Sequence, residues 1–187
     1  RCYDEWDKDN MRQYNFFTSR FFNAFDIELD VKPYLMMVTD VYFAEQTALD
    51  PFSDVIQIIG RFRNGVTSIE HITNVNYDLP QRSEEELCSF MDTSENVYET
   101  LRKFYDAAPN KGAREAYRAA MESLPFNRML DRNGHKNWFA IDNYVNDALV
   151  IGYYHDNKSL HAAYLQHDDI LNALMWVTTV SYTHLTL

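Results

Sequence analysis

Residues 34–75 read YLMMVTDVYFAEQTALDPFSDVIQIIGRFRNGVTSIEHITNV, and three patterns follow one another in them. The aliphatic and aromatic run at 34–39 suits a strand. Asp50-Pro51-Phe52-Ser53-Asp54 suits a helix start, because proline and clustered acids favour a first helical turn. Val55, Ile56, Ile58 and Ile59 supply the apolar positions, and the helix should end by Gly65. A second β-rich run occupies 66–75. Strand, helix and strand at this spacing predict an α/β layer with a parallel sheet, since the connection is too long for a hairpin. Upstream, residues 14–18 suit a further strand of the same sheet.

The pattern turns helical after residue 80. Ser83 followed by Glu86 is a capping-box signature, with Leu87, Phe90 and Met91 on one face. A helix, or two with a break near Thr93 and Ser94, should run to about Ala108. Pro109, Asn110 and Gly112 punctuate a second helix carrying Ala113, Tyr117, Ala120, Met121 and Leu124, which Pro125 ends. Residues 131–136 (DRNGHK) read as a turn, 138–151 and 160–165 as further amphipathic helices, and Asp168-Asp169 as the start of a last one. The predicted class is therefore α/β followed by α, divided into 1–78, a helical region at 79–179, and 180–187. That last stretch, VSYTHLTL, resembles the translated end of a sequencing adaptor and is set aside as a non-native tail. The chain opens on Arg1 rather than Met, so further sequence is expected before it.

With 46% hydrophobic, 24% charged and 15% aromatic residues in 187, the composition is that of a globular protein, neither disordered nor fibrous. Two cysteines are too few for a disulfide scaffold, which favours a reducing compartment and a cytoplasmic location. No apolar run reaches the ~18 residues of a membrane span. The net charge is −11.

The informative chemistry lies in 18–65. Gln57 and Arg61 are four apart and share a helix face, Gly60 permits close backbone approach, and Arg63 follows two residues on. Paired guanidiniums at a helix end can grip a phosphate that gains charge in a transition state. QIIGRFRNG, at 57–65, resembles motif VI of superfamily 2 (DEAD/DEAH-like) helicases, and TSRFFNAFDIEL, at 18–29, resembles motif V. Their order also matches the second RecA-like lobe of that family: motif V, a strand, a loop of acids and proline, then motif VI. The resemblance covers about 14–76. Two positions depart from it: Ala24 stands where motif V usually has glycine, and Arg63 follows Arg61 by two positions rather than the commoner three. Shorter spacing of this kind occurs in helicases that resemble viral origin-binding proteins.

The resemblance implies a role for each matching position. Arg61 and Arg63 face the ATP γ-phosphate, and Gln57 helps to position the nucleotide or the attacking water. Gly60 and Asp26 lie at the nucleotide cleft, while Thr18 and Ser19 contact the nucleic-acid backbone. No G-x-x-x-x-G-K-[ST] sequence occurs in the chain, so ATP and Mg²⁺ are expected to be bound mainly by a first helicase lobe in cis. The expected function is thus a fragment of an ATP-dependent helicase or translocase acting on nucleic acid, DNA in the first instance, and inactive alone. An acidic balance argues against a basic groove here: residues 1–78 hold 7 basic and 13 acidic side chains, and 80–179 hold 10 and 15. Residues 80–179 are expected to brace the lobe or recruit a protein partner.

Other constellations point to structure rather than chemistry. His135, His155, His161 and His167 lack metal-ligand spacing, so no metal site is expected. Glu84, Glu85 and Glu86, like Asp168 and Asp169, sit where a helix dipole accounts for them. Tyr14, Phe16, Phe17, Phe21, Phe22 and Phe25 read as core rather than as base-stacking residues. Two other readings stand beside the helicase: an acidic, non-enzymatic module of helical hairpins, and the motor part of a restriction-type ATPase.

Overall fold

The structure is a computed structural model that describes residues 7–18, 26–166 and 175–179. The chain is mixed α/β, with a parallel sheet in one part and helices in another. Its described residues form two compact units, one drawn from 1–79 together with the chain from Tyr153 onward, the other Pro80–Gly152.

In the first unit, β1 (Tyr34–Val38) and β2 (Ser68–Thr73) pair in parallel, Tyr34 opposite Ser68 and Val38 opposite Ile72. They are joined through α1 (Asp54–Gly60). The acid-and-proline loop starts that helix through Asp50: its carboxylate accepts from Phe52 N at 2.9 Å and from Ser53 Oγ at 2.7 Å. Val55 and Ile58 are the buried positions of α1, three apart as a helix requires. On β2, alternation places Ile69, His71 and Thr73 on the buried face.

A third strand, β3 (Met175–Thr179), pairs in parallel with the other side of β2, giving the order β1-β2-β3. Sequence reading assigned no strand there, and the Asp168-Asp169 helix start lies outside the described residues. The strand expected at 14–18 does not form; that stretch is irregular, turned locally by hydrogen bonds between Arg12 and Asn15. Core packing was also expected of its aromatics, but Tyr14 is 76% and Phe16 97% exposed. Without a paired neighbour a β-prone run has no ladder to join and no face to bury. Phe21, Phe22 and Phe25 lie outside the described residues.

The chain returns to the first unit through Tyr154 and the helix Asn157–Leu165. Both anchor residues are aromatic. Tyr154 is fully buried, its hydroxyl donating to Leu49 O at 2.9 Å and accepting from Leu49 N at 3.0 Å. Tyr164 Oη lies 2.6 Å from His71 Nδ1. The His71 Nε2 lies 3.0 Å from Thr39 Oγ1, which is 2.6 Å from Thr73 Oγ1. A string of buried polar groups therefore runs across the carboxyl ends of β1 and β2. Residues beyond Tyr153 had been read with the helical region; here they belong with the sheet.

The second unit is helical. α2 (Glu84–Asp106) begins with the expected capping box: Ser83 Oγ accepts from Glu86 N at 3.1 Å and Glu86 Oε2 accepts from Ser83 N at 2.8 Å. Both orphan donors are thereby satisfied. Ser83→Ala should lower stability by about 1 kcal/mol, read as a shift of the denaturant midpoint at unchanged slope; no shift would show that the cap is frayed in solution. Of the two readings, one helix or two with a break near Thr93 and Ser94, the single helix forms. Thr93 Oγ1 donates back to Ser89 O at 2.8 Å, sharing that carbonyl with the helix ladder, and Ser94 Oγ accepts from Phe126 N at 3.2 Å, so both hydroxyls are accommodated without a break.

α3 (Lys111–Ser123) packs on α2 after a short loop, with Phe104 and Tyr117 stacked at 5.8 Å. The helix stops at Ser123, and Pro125 opens a 3-10 turn, Pro125–Met129, rather than simply ending the helix. Phe126 and Met129 of that turn join Met91 in a core flanked by Tyr98, Leu130, Ala140, Ile141 and Tyr144. The turn at 131–136 forms as read, with Gly134 at φ +78° and Asp131 Oδ1 accepting from Asn133 N and His135 N. The next helix is Trp138–Tyr153. Among the described residues no helix is long and apolar enough to cross a membrane.

Candidate functional site

Three charged side chains from distant parts of the sequence meet at the C-terminal end of α1. Its last turn closes with Arg61 N donating to the carbonyls of Gln57 and Ile58, at 3.2 and 3.3 Å. The chain then extends alongside 26–33. Ile27 N donates to Arg61 O at 2.7 Å and Arg63 N to Ile27 O at 3.1 Å, a parallel bridge of Ile27 with Phe62. Further along, Asn64 Nδ2 donates to Leu29 O at 2.8 Å, and Thr67 Oγ1 to Lys32 O at 2.9 Å. Gly65, at φ +78°, makes the turn between these contacts, a backbone state that costs glycine nothing.

This zipper brings Asp26 to the arginines. Arg63 Nη2 donates to both carboxylate oxygens at 2.8 Å, and Arg61 Nη1 reaches Asp26 Oδ1 at 3.5 Å. Sequence reading puts Gln57 and Arg61 on one helix face, with Arg63 two residues beyond. In the structure Arg61 is the helical C-cap of α1 and Arg63 lies in the turn that follows, and from either side of the bridged Phe62 both reach Asp26. Side-chain exposure is 28% for Arg61, 53% for Arg63 and 43% for Asp26, so the cluster is open to solvent. Arg61 is the least satisfied member: its Nε is buried and has no hydrogen-bond partner among the described residues. A buried guanidinium N–H left unpaired is costly.

The other positions are less tightly joined to this point. Gln57 is exposed, one turn before Arg61 on α1. Gly60 is exposed as well, and a Cβ there would meet nothing within 4 Å, so no neighbour among the described residues requires a glycine. Thr18 is exposed; Ser19 lies outside the described residues. Of the histidines considered as ligands, His135 lies 3.7 Å from Asp131 and His155 Nδ1 lies 2.8 Å from Leu79 O, while His161 is exposed and His167 is outside the described residues. Among the described residues no three His, Cys, Asp or Glu side chains converge as a metal set.

One buried group was missed altogether. His71 stands fully buried on β2, its pKa lowered to about 4 by loss of hydration. The alternation Ile69, His71, Thr73 on one strand face was the available signal. Comparisons of the chain with protein families, with curated proteins and with solved structures return no match.

Proposed function

We propose that the chain carries the arginine-bearing part of a second RecA-like lobe from an ATP-dependent nucleic-acid helicase or translocase. The observation that carries this reading is the convergence of Asp26, Arg61 and Arg63 at the end of α1, beside a parallel β-α-β unit. Two segments that resemble motifs V and VI are thus hydrogen-bonded to each other in register. In this reading Arg61 and Arg63 place positive charge against the γ-phosphate as it is transferred to water, stabilising charge that grows in the transition state. Gln57 orients nucleotide or water from the same helix, with Gly60 beside it. Thr18 and Ser19, upstream of Asp26, contact the nucleic-acid backbone through hydroxyl and N–H groups, which requires no basic groove.

The residues present fit only part of the chemistry. No Walker A sequence occurs in the chain, so the phosphate cradle, its lysine and the Mg²⁺ ligands are assigned to a first lobe outside these 187 residues. Bound there, Mg²⁺ would neutralise the transferring phosphate. The chain alone is therefore predicted to hydrolyse nothing. The helical unit Pro80–Gly152 is assigned a bracing or protein-binding role, because it lacks the basic stripe that autonomous nucleic-acid binding needs.

The test is the complete two-lobe protein, assayed for ATP hydrolysis with and without single-stranded DNA or RNA. Hydrolysis raised by nucleic acid is expected. A two-lobe protein that binds nucleic acid but turns over no nucleotide would remove the reading.

A further inference from the structure

Asp26 occupies the donors that the proposed function assigns to phosphate. Its carboxylate takes two 2.8 Å bonds from Arg63 and a longer one, 3.5 Å, from Arg61. A carboxylate and a phosphate offer guanidinium groups the same kind of acceptor edge. Both therefore compete for the same N–H groups.

We propose that Asp26 is a resident counter-anion that holds Arg61 and Arg63 in place of a terminal phosphate and must be displaced when a polyphosphate binds. This rests on the phosphate-binding reading of the arginines and adds to it a built-in competitor. Three features favour a placeholder over a permanent structural ion pair. The pair is solvent-exposed, so its exchange for another anion carries little desolvation cost. The segment is already held by the Ile27–Phe62 bridge and by Asn64 and Thr67, so the fold does not depend on the carboxylate. Arg61 is poorly served: its bond to Asp26 is long, whereas a phosphate presents three oxygens rather than two.

The consequence is a threshold on ligand chemistry. A monoanion gains too little to displace Asp26, whereas a terminal phosphate with about two charges can outbid it at both arginines.

The experiment titrates the full 187-residue chain with inorganic triphosphate near 0.1 M salt, following backbone amide resonances of Arg61 and Arg63. Asp26→Asn and Asp26→Ser should each tighten Kd about fivefold, the scale of one exposed ion pair. Glu28→Gln removes the same charge two residues away and should change Kd less than twofold. Equal or weaker binding in both Asp26 variants overturns the placeholder, as does equal tightening by Glu28→Gln. Arg61→Ala with Arg63→Ala separates the two ideas. If the double variant binds as the unaltered chain does, the phosphate reading itself falls and the placeholder with it. If it loses binding while the Asp26 variants fail to tighten, only the placeholder falls.

Discussion

Arg61→Ala in the complete two-lobe protein should reduce kcat for ATP by ~10³ or more, with nucleotide binding far less affected. The split between the two constants follows from the geometry. Arg61 leaves the end of α1 as one side chain at the terminal phosphate, so ground-state affinity rests on the cradle of the first lobe. What the guanidinium adds is charge placed where negative charge grows, which lowers kcat and kcat/KM together when removed. Arg63→Ala belongs to the same class, because the Ile27–Phe62 bridge sets both arginines on the Asp26 side. Arg61→Lys should rescue little, since an ammonium cannot reproduce the planar fork. The decisive measurement is single-turnover hydrolysis at saturating ATP. Unchanged turnover in Arg61→Ala would remove the role assigned to 57–65.

Local patterning made much of the sheet unit legible, and long-range pairing hid the rest. Tyr34–Val38, Asp54–Gly60 and Ser68–Thr73 announce themselves through apolar spacing and the Asp50-Pro51 start, which are local signals. β3 is equally β-prone in composition, but in sequence the whole helical unit separates it from its partner β2, and no local pattern encodes that pairing. The reverse error occurred at 14–18. There the aromatic density is real but no partner strand lies among the described residues, and Phe16 stands exposed. Ser83 and Glu86 could be read because a capping box is complete within four residues.

The candidate site divides in the same way. Resemblance placed Asp26 and the arginines near one cleft, yet their direct pairing depends on the register of Ile27 against Phe62, a backbone fact that spacing does not carry.

Acid should destabilise the sheet unit, and His71 should be the reason. Thr73 Oγ1 donates to Asn74 O at 3.2 Å, so Thr39 Oγ1 donates to Thr73 and receives the His71 Nε2 proton. His71 Nδ1 is then the acceptor of the Tyr164 hydroxyl at 2.6 Å. Protonating Nδ1 puts two donors face to face and strands a charge among Thr39, Thr73 and the rings of Tyr154 and Tyr164, all of them neutral, since burial pushes both tyrosine pKa values up. The folded chain therefore holds His71 neutral down to about pH 4, whereas the unfolded chain takes up the proton near the ordinary 6.5. Between those values the unfolded state binds more protons, so stability rises with pH and is lost as pH falls from 6.5 toward 4, by about 3 kcal/mol in all. Asp131 and Asp156, whose pKa values hydrogen bonds depress, titrate below this window. Denaturant unfolding at half-unit pH steps should show the slope in the unaltered chain and its loss in His71→Gln, whatever the variant's stability at neutral pH. Parallel curves for the two proteins would place the acid sensitivity elsewhere.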